Sequence, residues 1–380
     1  MRLIEFEFLK LLKNKKTIFI VLSCLLFSAL FIVYNHYRHN RYIEDMIQDL
    51  KTDNIIANQR VKYLMKFKSL NETQKEELEY WGPEAVITSF LKTYYSSPIL
   101  FDWKDILEQS NKRNTNLIIG YQNKHIYVYS QSVESKIKDL ENEVLLNNYL
   151  LEHNIEPLLS PFYPSAFNLI YLLNSKEMML IMIILFVVSI IDIFSSEIES
   201  GSYKITYTSP YSRIQILQTK ILISCIFVSF LYILTHVFIF ILSSIVTGVG
   251  SPEYPILVNT LGEFEIIPVF QFIQTSLLYY LAQLIFFVFL SSFLFIVFKD
   301  STSIISIFSG IFLMTYLIVS YRAQSFINYL PFGSFDFATI LQNFGFNKVI
   351  LFFMLSVFYS GIIYLINRIL IKRISFTGGM

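Results

Sequence analysis

Apolar runs long enough to cross about 30 Å of hydrocarbon occupy residues 17–34, 178–194, 214–246, 269–298, 303–321 and 349–366. They predict six transmembrane helices, the third and fourth long enough to tilt or to continue past the membrane. Ahead of the first, residues 1–16 (MRLIEFEFLKLLKNKK) put Leu3, Ile4, Phe8, Leu11 and Leu12 largely on one helical face and turn Glu5, Lys10 and Lys13 away from it. That is the pattern of an amphipathic helix lying in the membrane interface. Residues 36–175 differ in kind: charge is dense, Trp81 and Trp103 are here, and no run is long enough to span. Ile43, Met46, Ile47 and Leu50 recur at helical spacing, as do Leu140, Val144 and Leu145, with Gly82-Pro83 and Ser97-Pro98 as breaks and one short alternation at 126–129 as a candidate strand.

The expected fold is therefore an all-α integral membrane protein. It comprises the interfacial helix 1–16, a first span at 17–34, a mainly helical extracellular domain at 36–175, spans two to six within 176–373, and a tail at 374–380.

Composition agrees with the bilayer as solvent, since 54 % of the 380 residues are hydrophobic, 17 % aromatic and only 16 % charged. A net charge of +1 gives no global attraction for nucleic acid, so positive charge is read by position. Arg2, Lys10, Lys13, Lys15 and Lys16 precede the first span; Lys204, Arg213 and Lys220 lie between the second and third; Lys299 follows the fourth; Arg368, Lys372 and Arg373 close the chain. The loop at 251–267 carries Glu253, Glu263 and Glu265 and no basic residue. Both termini are expected in the cytoplasm. Abundant Phe, Ile, Tyr, Asn and Lys beside scarce Gly and Ala fit an AT-rich bacterial genome, hence a bacterial plasma membrane.

Chemistry-bearing motifs are few. No Gly is followed by Lys, so the chain has no phosphate-binding loop of its own. Cys24 and Cys225 lie inside apolar runs as small hydrophobes, and His36 and His39 form an i, i+3 pair without a metalloprotease pattern around it. No metal, bound cofactor or catalytic constellation is expected.

The informative segment is 195–220, SSEIESGSYKITYTSPYSRIQILQTK. Acidic residues come first, then a Gly-Ser break, a Ser-Pro turn and basic residues running into the third span; Ser209 and Pro210 are read as opening that helix. Glu-x-x-x-Gly-Ser, then Ser-Pro-x-x-Arg-x-x-Ile and a Lys four residues on, resembles the loop after the second span in permeases of type-2 ATP-binding-cassette (ABC) exporters. The matching residues are Glu197, Gly201, Ser202, Ser209, Pro210, Arg213, Ile216 and Lys220. The resemblance implies that 195–220, with Glu199 as a further charge, is a coupling element resting on a separate ATPase subunit that holds ATP and Mg, and that two six-span halves, from identical or related chains, form the export pathway. The chain departs from simpler members through the large insertion at 36–175 and polar residues at 203–208, which leaves peptide, bacteriocin-like and lipid-like cargo all open. A membrane-anchored immunity or sensor protein with a peptide-binding outer domain is the competing reading. Within the spans, His236, Gln274 and Gln283 are the candidate pathway residues, because polar side chains in hydrocarbon are costly unless they serve a function or bond across helices.

Overall fold

The computed structural model describes residues 2–126, 132–175, 178–199, 201, 210–260, 263–320 and 337–373. Helix α1 (Arg2–Lys13) hands over at Asn14, whose side chain accepts the Lys16 amide at 3.0 Å and caps α2 (Lys15–Leu64). Apolar Phe6, Leu9, Ile18, Phe19, Leu22 and Leu26 are exposed, while Glu7, Leu11, Thr17, Cys24, Ser28 and Phe31 turn inward. Such an arrangement is costly in water and ordinary against acyl chains, which are as apolar as the side chains that meet them.

Helix α2 does not stop where its apolar run stops. Residues 35–64 contain neither Gly nor Pro to end it. At about 1.5 Å per residue its 50 residues reach roughly 75 Å, more than twice a hydrocarbon core of about 30 Å. The polar half carries the chain well past a bilayer, and α3 (Glu72–Ser96), α4 (Trp103–Gln122) and α5 (Val133–Glu152) form a helical layer with it. Leu50, Ile87, Leu91, Tyr94 and Ile106 form one core of this layer, and Leu107, Leu150 and Ile155 a second. Gly82-Pro83, expected as a break, instead lies inside α3, whereas Ser97-Pro98 does end it in a short 3-10 turn. Polar ties fix the helices: Arg113 Nε donates to Glu84 at 3.0 Å, its terminal nitrogen bonds Asp53, and Asn116 donates to Glu84 at 3.0 Å. Glu84, 2 % exposed, is thereby a satisfied buried charge.

The chain returns through α6 (Ala166–Ser175), whose first amides donate to the carbonyls of Gly248 and Val249 at 3.2 and 3.1 Å. This contact needs the left-handed backbone of Gly248 and Gly250 (φ +96° and +78°), and a Cβ on Gly250 would sit 2.8 Å from Ser165 Oγ. Helices α7 (Met178–Glu199), α8 (Arg213–Val246), α9 (Val269–Phe298), α10 (Ser301–Ser320) and α11 (Phe337–Arg373, bent at Gly345) share one core with α6, in which Phe186, Phe194, Tyr232, Tyr279, Tyr280 and Phe287 are fully buried.

Five helices among the described residues are long and apolar enough to span: α2, α7, α8, α9 and α11. The remaining expected run falls on α10, in which Ser301–Met314 is apolar among the residues described in full. One element was not expected from an all-α reading. Strands β1 (Pro255–Thr260) and β2 (Glu263–Pro268) pair antiparallel, Ile256 opposite Ile267 and Val258 opposite Glu265. Ile256, Val258 and Ile267 face the core, and the prolines begin and end the hairpin, where no ladder amide is required of them. The candidate strand at 126–129 lies outside the described residues beyond Ile126, as does the tail 374–380.

Candidate functional site

Two polar constellations stand out against this apolar background, one at each depth of the helical bundle. At the end where α1 lies, Glu197 near the close of α7 is 2 % exposed and Lys220 in α8 is 3 % exposed. Lys220 Nζ donates to Glu197 Oε2 at 2.6 Å, Lys10 of α1 donates to the other carboxylate oxygen, and Lys10 also lies 3.5 Å from Glu7. Two acids and two bases thus neutralise one another where isolated charges would be prohibitive. Glu7 occupies the inward face of α1, and burial pushes its carboxyl pKa up against the opposing pull of Lys220 and Lys10. Beside this cluster, Asn14 and Lys16 donate to Asp192 at 3.0 and 2.8 Å, Lys16 lies 3.7 Å from Glu199, and the Ser301 hydroxyl donates to Glu199. The network pins α1 and the start of α2 to α7, α8 and α10.

The sequence segment expected to couple brackets this network. Glu197 is turned into the protein, so any influence it has on a partner passes through Lys10 and Lys220. Glu199 and Arg213 are exposed. Gly201 has φ +73° just past α7, a conformation that suits a helix stop; Ser202 and Ser209 lie outside the described residues, and Pro210 sits in a bend. Helix α8 opens later than Ser209-Pro210 would place it. Ser212 is its N-cap, accepting the Gln215 amide at 3.3 Å while the Gln215 side chain accepts the Ser212 amide at 2.9 Å, a reciprocal capping box. Sequence reading passed over Glu7 and Asn14 and gave Lys10 only a place on the polar face of α1. A signal existed for Glu7, since 7 and 10 stand i, i+3 and so are neighbours on one face of α1.

Deeper in the bundle, His236 of α8 is 6 % exposed. Its Nδ1 faces the Tyr232 carbonyl at 2.9 Å and its Nε2 faces Asn174 Oδ1 at 3.1 Å; Asn174 Nδ2 donates to Ser276 Oγ at 3.1 Å, and the Tyr280 hydroxyl donates to the Asn174 carbonyl at 3.0 Å. These bonds join α6, α8 and α9. Gln283, 1 % exposed, donates to the Tyr279 hydroxyl at 2.8 Å, whereas Gln274 is exposed on the outer side of α9, so the three expected pathway residues are not gathered in one place. A comparable bond ties α11 to α9, Asn367 Nδ2 to Ser292 Oγ at 2.7 Å.

Among the described residues no cluster of His, Cys, Asp or Glu could hold a metal ion. Compared with known proteins, residues 1–336 match a family described as ABC-2 family transporter protein. No curated protein and no solved structure matches the chain.

Proposed function

This chain belongs to the ABC-2 family of transporter proteins, and from that premise we propose that it works as an exporter permease driven by a separate ATPase subunit. Membership makes it a multi-pass membrane subunit of an ABC transporter. The partner would carry ATP and Mg and would dock on the face formed by α1, the end of α7 and the start of α8. The observation that carries this reading is the buried Lys10–Glu197–Lys220 link. A load on the exposed Glu199, Gly201 or Arg213 would move α7, α8 and α1 as one body, because the charges that join them cannot separate without leaving one unpaired in a dry site. A passive anchor has no comparable requirement.

The rest of the proposal follows from this orientation: both termini in the cytoplasm of a bacterium, α10 as a sixth span, residues 36–175 outside, and a second permease chain, identical or related, completing the pathway. The cargo class is peptide, bacteriocin-like or lipid-like. The test is purification from native membranes. A nucleotide-hydrolysing subunit should accompany the wild-type chain, and Glu199→Lys combined with Arg213→Glu should weaken that association about tenfold or more at normal expression, as charge reversal at an interface does. Undiminished association in the double variant would move the docking face elsewhere.

A further inference from the structure

Between the helical layer and the spans lies a cavity of about 570 Å³, within the size range of small-molecule sites. Its floor is hairpin and α6 (Tyr254, Ile256, Tyr171), and its walls come from α2, α3, α4 and α5. Three features of the lining bear on what it holds.

The first is aromatic: Tyr42, Tyr94, Tyr95, Tyr171 and Tyr254 all line it. Burial pushes the Tyr94 phenol up to about 12, burial followed by the nearby Glu143 charge raises Tyr42, and burial followed by the neighbouring Tyr42 and Tyr94 raises Tyr95, so these rings are neutral under physiological conditions. A neutral phenol ring presents a negative π face. The second is charge. Arg113 is the cation of the lining among the described residues, and it is already held by Glu84 at 3.0 Å and by Asp53. Its own pKa is raised because those two carboxylates outweigh the burial that opposes it. Glu143 by contrast has an amide partner, Asn114 Nδ2 at 3.1 Å, and no ion pair among the described residues. Arg113 is thus matched by Glu84 and Asp53 behind the lining, and Glu143, an exposed carboxylate outside those pairs, borders the tyrosines. The third is the apolar remainder, in which Leu91, Leu107, Leu146 and Leu150 complete the walls.

We infer that this cavity is a binding site for a hydrophobic monocation, its charge placed between Glu143 and the tyrosine faces and its apolar body against the leucines. Cation–π attraction and the solvent-facing Glu143 carboxylate both favour positive charge, while the leucines exclude small hydrated cations. Anions of the same shape meet net negative potential and are rejected. Binding needs neither ATP nor a partner subunit, so its test stands apart from the transport reading: either can fail without the other.

The full-length chain, with Cys24→Ser and Cys225→Ser to clear the background and Ser110→Cys as reporter on the cavity wall, is reconstituted in lipid nanodiscs. The rate of maleimide labelling is followed against tetraphenylphosphonium and against tetraphenylborate, an anion of nearly the same shape, at matched free concentrations. The expected result is protection by the cation at about tenfold lower concentration than by the anion, a preference of the size a single cation–π and carboxylate site supplies. Glu143→Gln should bring the two concentrations within about twofold of each other. Equal protection by both ions, preference for the anion, or an unchanged preference in Glu143→Gln overturns the proposal. If the thiol introduced at Ser110 is unreactive, Asn147→Cys on α5 is the second reporter, and failure of both to label shows a cavity closed to solutes, which overturns it as well.

Discussion

A buried charge is worth what its partners make it worth, and Glu197 is the sharpest case in this protein. Replacing it with Gln leaves Lys220, 3 % exposed, facing an amide, with Glu7 as the remaining carboxylate in reach of the cluster. Breaking one side of a buried pair costs about 3–5 kcal/mol, whereas replacing both sides with well-packed apolar groups is often neutral. Glu197→Gln should therefore lower thermal stability strongly, and adding Lys220→Met should recover most of the loss, as measured by unfolding of the detergent-solubilised chain. Recovery would separate the structural cost of Glu197 from any effect on a partner, which is read independently at Glu199 and Arg213. His236 tests the opposite possibility, that an intramembrane polar group serves only to tie helices. Its ring nitrogens already face the Tyr232 carbonyl and Asn174. His236→Leu should then destabilise by about 1–3 kcal/mol through the unpaired Asn174 amide, with transport per folded molecule unchanged. A fall in transport without a fall in stability would return His236 to the pathway.

Helix seams are set by residues whose importance is hard to see along the chain. Gly120 in α4 is one, because a Cβ there would lie 2.5 Å from Tyr80 Cε2 in α3. Gly→Ala within a helix ordinarily stabilises by about 1 kcal/mol, so the sign of Gly120→Ala reports the packing. It should destabilise the wild-type chain by about 1–3 kcal/mol, the usual cost of overpacking. In a Tyr80→Ala background, where the ring is gone, it should stabilise instead, and the double-mutant cycle reads that reversal directly. Elements of this kind mark where sequence reading stopped. The spanning helices were legible because their signal is length and apolarity, which the bilayer imposes regardless of neighbours. The hairpin at 255–268 was not, since two six-residue strands are too short for alternation to distinguish them from loop, and they gain definition only from pairing and from Ile256, Val258 and Ile267 meeting the core. Glu197 and Arg213 were legible as charges in a loop-like segment. That Glu197 points inward to Lys10, 187 positions away in the chain, is a tertiary fact that spacing does not encode.

The whole molecule has two unlike ends, and α2 is the ruler between them. Its apolar start crosses within the bundle, and its polar stretch 35–64, about 45 Å at 1.5 Å per residue, packs with α3, α4 and α5 at the end away from α1. In the proposed orientation the Lys10–Glu197–Lys220 face lies on one side of the membrane and the helical layer on the other. The proposed cytoplasmic assignment of the first side rests on the basic residues concentrated beside α1, α8 and the end of α11. Glu134 in the layer and Tyr211 beside α8 are both exposed and so are suitable reporters. With Cys24 and Cys225 replaced by Ser, Glu134→Cys should react with a membrane-impermeant maleimide on intact cells, and Tyr211→Cys should react only after permeabilisation. The opposite pattern would put the α1 face outside the cell, beyond the reach of any cytoplasmic ATPase, and would leave the buried charge network as a structural clamp with no partner to push on it.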